Sequence, residues 1–249
     1  MSHVIRAALL LGFMSLGVSV AMSAELCPAL PARAVMPREA LPEELDLPGW
    51  KAGAAAIDAA LNGLDRGSVR LMFVGDSITA SWDRPILQKF FGSLSPVLLG
   101  IGGDRTEGML YRLSHMKMPG LRPQILVLLA GTNNTAGGSA PENTALGIAQ
   151  IVRLVHARLP TTKILVLAVL PRGVEPSDTL RQVNDRVNVL ISQCADNRIV
   201  FYFDAARHLL DQAGRLTDQM SFDHLHLTPI GYYKLAEALQ PEITRLMGH

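Results

Sequence analysis

Five short apolar runs, separated by segments of helical length, dominate this 249-residue sequence. Residues 69–74, 96–99, 125–130, 164–170 and 199–203 are rich in Val, Ile, Leu and Phe and are bounded by Gly, Pro or polar residues. Runs of this length without polar alternation read as strands buried on both faces. Between them, residues 51–64, 85–91, 107–115, 141–159, 178–196 and 229–247 have helical length. In the fourth, Leu146, Ile148, Ile151, Val152, Leu154 and Val155 recur on one side, and Pro141 stands where a first-turn proline is tolerated. Buried strands alternating with helices predict an α/β fold. It should be a three-layer α/β/α sandwich of flavodoxin-like type around a mainly parallel five-stranded sheet. A hydrophobic fraction of 49% supplies one large core.

The first 24 residues stand apart. Arg6 precedes an apolar stretch over residues 7–20 that contains two Gly and two Ser, and the small residues Ala21, Ser23 and Ala24 follow. That stretch is shorter than the roughly 20 apolar residues of a spanning helix, and the arrangement predicts a signal peptide over residues 1–24. The product would be exported, periplasmic or secreted, with no stable membrane anchor. Residues 25–49 carry five prolines and read as a Pro-rich lead-in, and residues 50–249 as the folded domain. Cys27 and Cys194 would meet an oxidising compartment, but sequence does not give their separation, so a disulfide stays open. Neither has metal-ligand spacing. Lys+Arg 23 against Asp+Glu 22, with no block of like charge, excludes the electrostatic footprint of a nucleic-acid or anionic-membrane binder.

In a parallel sheet, sites form beyond the carboxyl ends of the strands. The first strand runs into Gly75-Asp76-Ser77-Ile78-Thr79. A Ser in such a turn is exposed at a helix start and suits a nucleophile; it also suits a helix cap. Thr79 stands where the nucleophile elbow Gly-x-Ser-x-Gly needs its second Gly. The second strand runs into Gly100-Ile101-Gly102-Gly103-Asp104, whose glycines expose backbone donors. Arg105 breaks the rival dinucleotide pattern. The third runs into Gly131-Thr132-Asn133-Asn134, where Asn is either a turn former or a side-chain donor. Before the last helix, Asp223 and His226 are three residues apart, so the carboxylate can orient the imidazole, an ordinary general base. Metal binding by Asp223, His224 and His226 is the rival, and no further His or carboxylate cluster completes a ligand set. His224 should face elsewhere.

Taken together, FVGDSI, GIGGDRTEGMLYRL, GTNN, ILVLAVLPRG, RQVNDRVN and DHLHLTPIGY resemble the SGNH (GDSL-type) hydrolases. Within that family the sequence looks most like the catalytic subunits of intracellular platelet-activating factor acetylhydrolase. The resemblance spans about residues 50–247. It implies the SGNH hydrolase fold, with Ser77 as nucleophile, His226 as base and Asp223 as its orienting acid. The oxyanion hole would combine the Ser77 and Gly103 N–H groups with the Asn133 side-chain amide. Ile78, Thr132 and Leu225 match acyl-pocket positions, so acetyl-type short acyl groups are expected. Neither an organic cofactor nor a metal is implied. Asp76 and Asp104 read as loop-shaping residues. Leu98 replaces an Asn often found just upstream of the second block, so bracing of that loop should differ.

The expected function is an exported serine esterase that works through an acyl-enzyme. The partner is a small-molecule, glycan or lipid ester, and the resembled subunits imply a possible homodimer. Export favours a carbohydrate O-acetylesterase and the resemblance favours a lipid acetylhydrolase. A non-catalytic binding domain on the same fold is the reading from a different class, and absence of labelling by a fluorophosphonate would favour it.

Overall fold

Branched apolar side chains fill both faces of a sheet only where helices cover both faces. In the computed structural model, which describes residues 26–27 and 35–248, the strands are β1 (Leu71–Gly75), β2 (Val97–Gly100), β3 (Ile125–Leu129), β4 (Lys163–Leu167) and β5 (Val200–Phe203). They lie in the order β2-β1-β3-β4-β5. Every pairing among them is parallel, with Phe73 opposite Leu98 on one side and Val127 on the other.

The helices are α1 (Trp50–Asn62), α2 (Ser77–Ala80), α3 (Arg84–Phe91), α4 (Thr106–His115), α5 (Thr132–Ala136), α6 (Pro141–Arg158), α7 (Thr179–Ser192) and α8 (Pro229–Met247). Successive strand residues point to opposite faces, and the core divides accordingly. Met72, Val74, Leu126, Leu128, Ile164 and Val166 pack beneath α1, α4, α6 and α7, against Ile57, Leu113, Val152 and Ile191. Leu71, Phe73, Ile125, Val127, Leu165 and Leu167 pack with Leu87 and Phe91 of α3 and Leu235, Leu239 and Ile243 of α8. The helix starts are locally encoded. Asp83 accepts from Ile86 N ahead of α3, Thr228 accepts from Gly231 N ahead of α8, and Pro141 opens α6.

The strand order reverses at β1, whose chain neighbours go to opposite sides. This opens a crevice at the carboxyl ends of β1, β2 and β3.

Residues 1–24, read as a signal peptide, lie outside the described residues. The described part of the segment before α1, residues 26–27 and 35–49, has a 3-10 turn at Arg38–Ala40 and no other helix or strand. It is packed into the body: Ala40, Leu45 and Cys27 belong to the core beneath α4 and α6. Thr106 Oγ1 donates to Glu39 O at 2.8 Å, and Glu43 N to Glu107 O at 3.1 Å. Cys27 and Cys194 form a disulfide that spans 167 residues, which answers the pairing left open by sequence. Among the described residues, no helix is long and apolar enough to cross a membrane.

A crosslink over so long a loop restricts the unfolded chain strongly. The double variant Cys27→Ala/Cys194→Ala is expected to lose about 2–4 kcal/mol of stability in denaturant unfolding. An unchanged midpoint would mean that packing alone holds the strap.

Candidate active site

β1 ends at Gly75, and α2 starts two residues later with Ser77 in its first position. The turn is held by Asp76, whose Oδ1 accepts from Ile78 N at 3.0 Å. α2 lies directly over the end of β2. A side chain at Gly100 would collide with the backbone of Ala80, so glycine there sets the approach. Tyr232 of α8 donates its hydroxyl to Ile78 O at 2.8 Å and fixes α2 from the other side. Asp76 is buried, and its Oδ2 has no hydrogen-bond partner among the described residues. Burial, with the Asp104 charge adding, pushes its carboxyl up to about 7 against the pull of Ile78 N–H.

His226 and Asp223 sit in a loop closed by the Ser221–Leu227 bridge rather than on a helical turn. Asp223 Oδ1 accepts from the backbone N–H groups of Leu225 (3.0 Å) and His226 (2.7 Å), while its Oδ2 lies 2.7 Å from His226 Nδ1. Desolvation pushes the Asp223 carboxyl up, but the imidazole and the two N–H groups outweigh it and hold it below the usual carboxylate range. An ionised carboxylate can only accept, so Nδ1 carries the proton and Nε2 faces Ser77 Oγ as acceptor at 2.9 Å. Phe222, 68% exposed, stacks on the imidazole with ring centroids 6.0 Å apart. His224 adopts positive φ and turns to Asp218, at 2.9 Å, away from the pair. Among the described residues, no group of three or more His, Cys, Asp or Glu is placed to hold a metal ion.

The second glycine loop turns at Gly103, where φ is +72°. Its shape depends on Asp104. One carboxylate oxygen accepts from Trp50 Nε1 (2.9 Å) and Arg105 N (3.0 Å), and the other from Arg112 Nε (2.7 Å). Arg112 also donates to Gly75 O and Leu99 O, the carboxyl ends of β1 and β2. Arg112 and Trp50 supply the bracing at this loop, and Leu98 packs instead into the second core. Asn133, on α5, donates from Nδ2 to Asp104 O at 2.9 Å, leaving its second N–H for a ligand. Asn134 turns the other way and is spent on Thr106 and Glu107.

The structure thus joins Ser77, His226 and Asp223 in one hydrogen-bonded chain, and couples Asn133 to the residue after Gly103. Of the three acyl-pocket positions, Ile78 and Thr132 are buried at 2% and 3% exposure, and Leu225 lines a cavity of about 550 Å³ beside the histidine loop. Sequence reasoning did not single out Trp50, Arg112 or the cavity residue Arg172. The one available signal was the Tyr-Arg-Leu ending of the second block.

Residues 73–234 match the GDSL-like Lipase/Acylhydrolase family. The chain belongs to that family. This GDSL-like hydrolase is 34% identical over 180 residues to human platelet-activating factor acetylhydrolase IB subunit alpha1, covering 72% of this chain and 77% of the relative. It is 35% identical over 179 residues to the alpha2 subunit of Bos taurus, covering 71% and 77%. Its fold is shared with a GDSL-like lipase from Bacteroides thetaiotaomicron (TM-score 0.60, 23% identity, 79% of this chain and 97% of that one). A carbohydrate acetylesterase family member from Sinorhizobium meliloti shares it too (TM-score 0.56, 17% identity, 73% and 100%). It is an ester-hydrolysing enzyme with a parallel α/β sheet.

Removing one partner of a buried ion pair strands the other charge. Arg112→Leu is expected to cost about 3–5 kcal/mol in chemical unfolding, and a change below 1 kcal/mol, about the value of an exposed pair, would contradict the bracing role. Asp76 is raised in the folded state, so the native protein keeps a proton that the unfolded chain releases. Its contribution is full below the ordinary value of 3.8 and falls as pH rises through about 7. Unfolding measured across that window should show a shallower decline for Asp76→Asn than for the native protein.

Proposed function

We propose that the protein is an exported serine esterase that hydrolyses short-chain, acetyl-type carboxylic esters through an acyl-enzyme. The observation that carries this reading is the continuous chain from Ser77 Oγ to His226 Nε2 (2.9 Å) and from His226 Nδ1 to Asp223 Oδ2 (2.7 Å). Ser77 Oγ attacks the ester carbonyl carbon while His226 Nε2 takes its proton, and Asp223 stabilises the imidazolium that results. The carbonyl oxygen becomes an oxyanion held by the N–H groups of Ser77 and Gly103 and the uncommitted N–H of Asn133. Collapse breaks the bond to the alcohol oxygen, which takes the proton from His226. A water then repeats the sequence on the acyl-Ser77, releasing the acid and restoring the serine.

The acyl preference rests on Ile78, next to the nucleophile, on Thr132, next to Asn133, and on the acetylhydrolase names of the relatives; Leu225 instead lines the cavity beside the histidine loop. Export rests on residues 1–24 and accords with a disulfide, a bond that persists in oxidising compartments. A homodimer is carried over from the resemblance alone; a light-scattering mass twice that of the chain would support it.

Ser77→Ala is expected to abolish turnover and fluorophosphonate labelling while leaving thermal unfolding unchanged; labelling that persisted would remove Ser77 from the mechanism. Asn133→Ala should lower kcat by about 10²–10³-fold, and Asp223→Asn by roughly 10⁴-fold. With nitrophenyl esters of increasing acyl length, kcat/KM should be highest for acetate; preference for long chains would overturn the short-acyl assignment. N-terminal sequencing of the exported protein should begin at Glu25.

A further inference from the structure

The cavity of about 550 Å³ beside the triad lies within the usual size range of small-molecule sites. Its walls come from residues 172–174, from Asp178, Thr179 and Leu180 at the start of α7, and from residues 223–225. These walls are held in place from within the protein. Arg181 is buried and donates to the carbonyl oxygens of Arg172 (3.2 Å), Gly173 (2.5 Å) and Gly214 (2.6 Å). Gly173 N donates to His224 O at 2.9 Å, joining this rim to the histidine loop. The cavity therefore keeps its shape before any ligand arrives, which lowers the ordering cost of binding.

Its polar groups are underused. Among the described residues, the Arg172 guanidinium donates one hydrogen bond, from Nη1 to Thr132 O at 3.3 Å, and makes no ion pair. Asp178 accepts from Glu175 N through Oδ2, and its other oxygen has no bond among the described residues. The Thr179 side chain is exposed, and Val174, Leu180 and Leu225 add apolar surface between these groups. Donors and acceptors interleaved with apolar surface match a molecule whose hydroxyls alternate with C–H faces. A phosphodiester would instead meet one guanidinium against the two carboxylates of Asp178 and Asp223.

We infer that this cavity receives the alcohol part of the ester, and that this alcohol is a neutral, hydroxyl-rich molecule of the sugar class. Arg172 donates to its hydroxyls and Asp178 accepts from them. This assignment rests on Ser77 being the nucleophile and His226 the group that protonates the leaving alcohol, because the cavity is walled by residues 223–225 of the loop that carries His226.

The test compares kcat/KM of the purified protein on mono-O-acetylglucose, nitrophenyl acetate and an acetyl ester of glycerophosphocholine. The sugar ester should be preferred over the phosphodiester. In Arg172→Ala and in Asp178→Asn, the ratio of kcat/KM for the sugar ester over nitrophenyl acetate should fall roughly ten- to a hundredfold, mainly through KM. An equal loss on both substrates, or preference for the phosphodiester, would overturn the assignment. Should Arg172→Ala fail to fold, Arg172→Gln and Thr179→Val carry the same comparison. Turnover surviving in Ser77→Ala would remove the nucleophile and this inference with it. An unchanged ratio alongside a dead Ser77→Ala would overturn the cavity assignment alone.

Discussion

The Asp104–Arg112 ion pair is the contact on which the site's geometry depends. Its side chains are 0% and 4% exposed, and its 2.7 Å bond lies beside the carbonyl groups at the carboxyl ends of β1 and β2. Arg112 takes up two of those carbonyls while Asp104 collects Trp50 and the N–H of Arg105. A buried pair of this kind seldom adds net stability over a well-packed apolar pair, because desolvation offsets most of the attraction. What it supplies here is position. The Asp104 carbonyl orients Asn133, and the Gly103 N–H is set by the same turn.

Around that centre the layers divide the work. α2, α3 and α8 anchor Ser77 from one face, with Ile78, Trp82 and Tyr232 packed together there. α5 and the glycine loop ahead of α4, backed by the segment before α1, set Asn133 and Gly103 from the other. The histidine loop reaches across from the last connection, and its carboxylate is satisfied within four residues. Two neighbouring asparagines show how finely α5 is used. Asn133 donates to the Asp104 carbonyl, and Asn134, one position on, is buried in a network with Thr106 and Glu107.

How legible all this was depended on how local the cause was. The strands were readable because residues 125–129 and 164–167 are unbroken apolar runs; their ends moved by one to three residues, because an apolar run continues past the last ladder pairing into the following loop. Asp223 and His226 were readable as a pair because three residues separate them. α2 and α5 were not, since four or five residues cannot show a helical period. Arg112 and Arg181 look like ordinary solvated helix residues in sequence. Their partners, at Gly75, Leu99, Gly173 and Gly214, come from other parts of the chain, so only the tertiary arrangement reveals them. The Cys27–Cys194 bond was undecidable for the same reason.

That bond also sets an order of assembly. During synthesis Cys27 emerges 167 residues ahead of its partner, after which β1 through β4 and the helices up to α7 have all been made. The Cys27 segment, made before β1, is therefore crosslinked late. Because that segment lies against α4, just behind the glycine loop, the wall behind that loop is tied down only once the chain through α7 has been made.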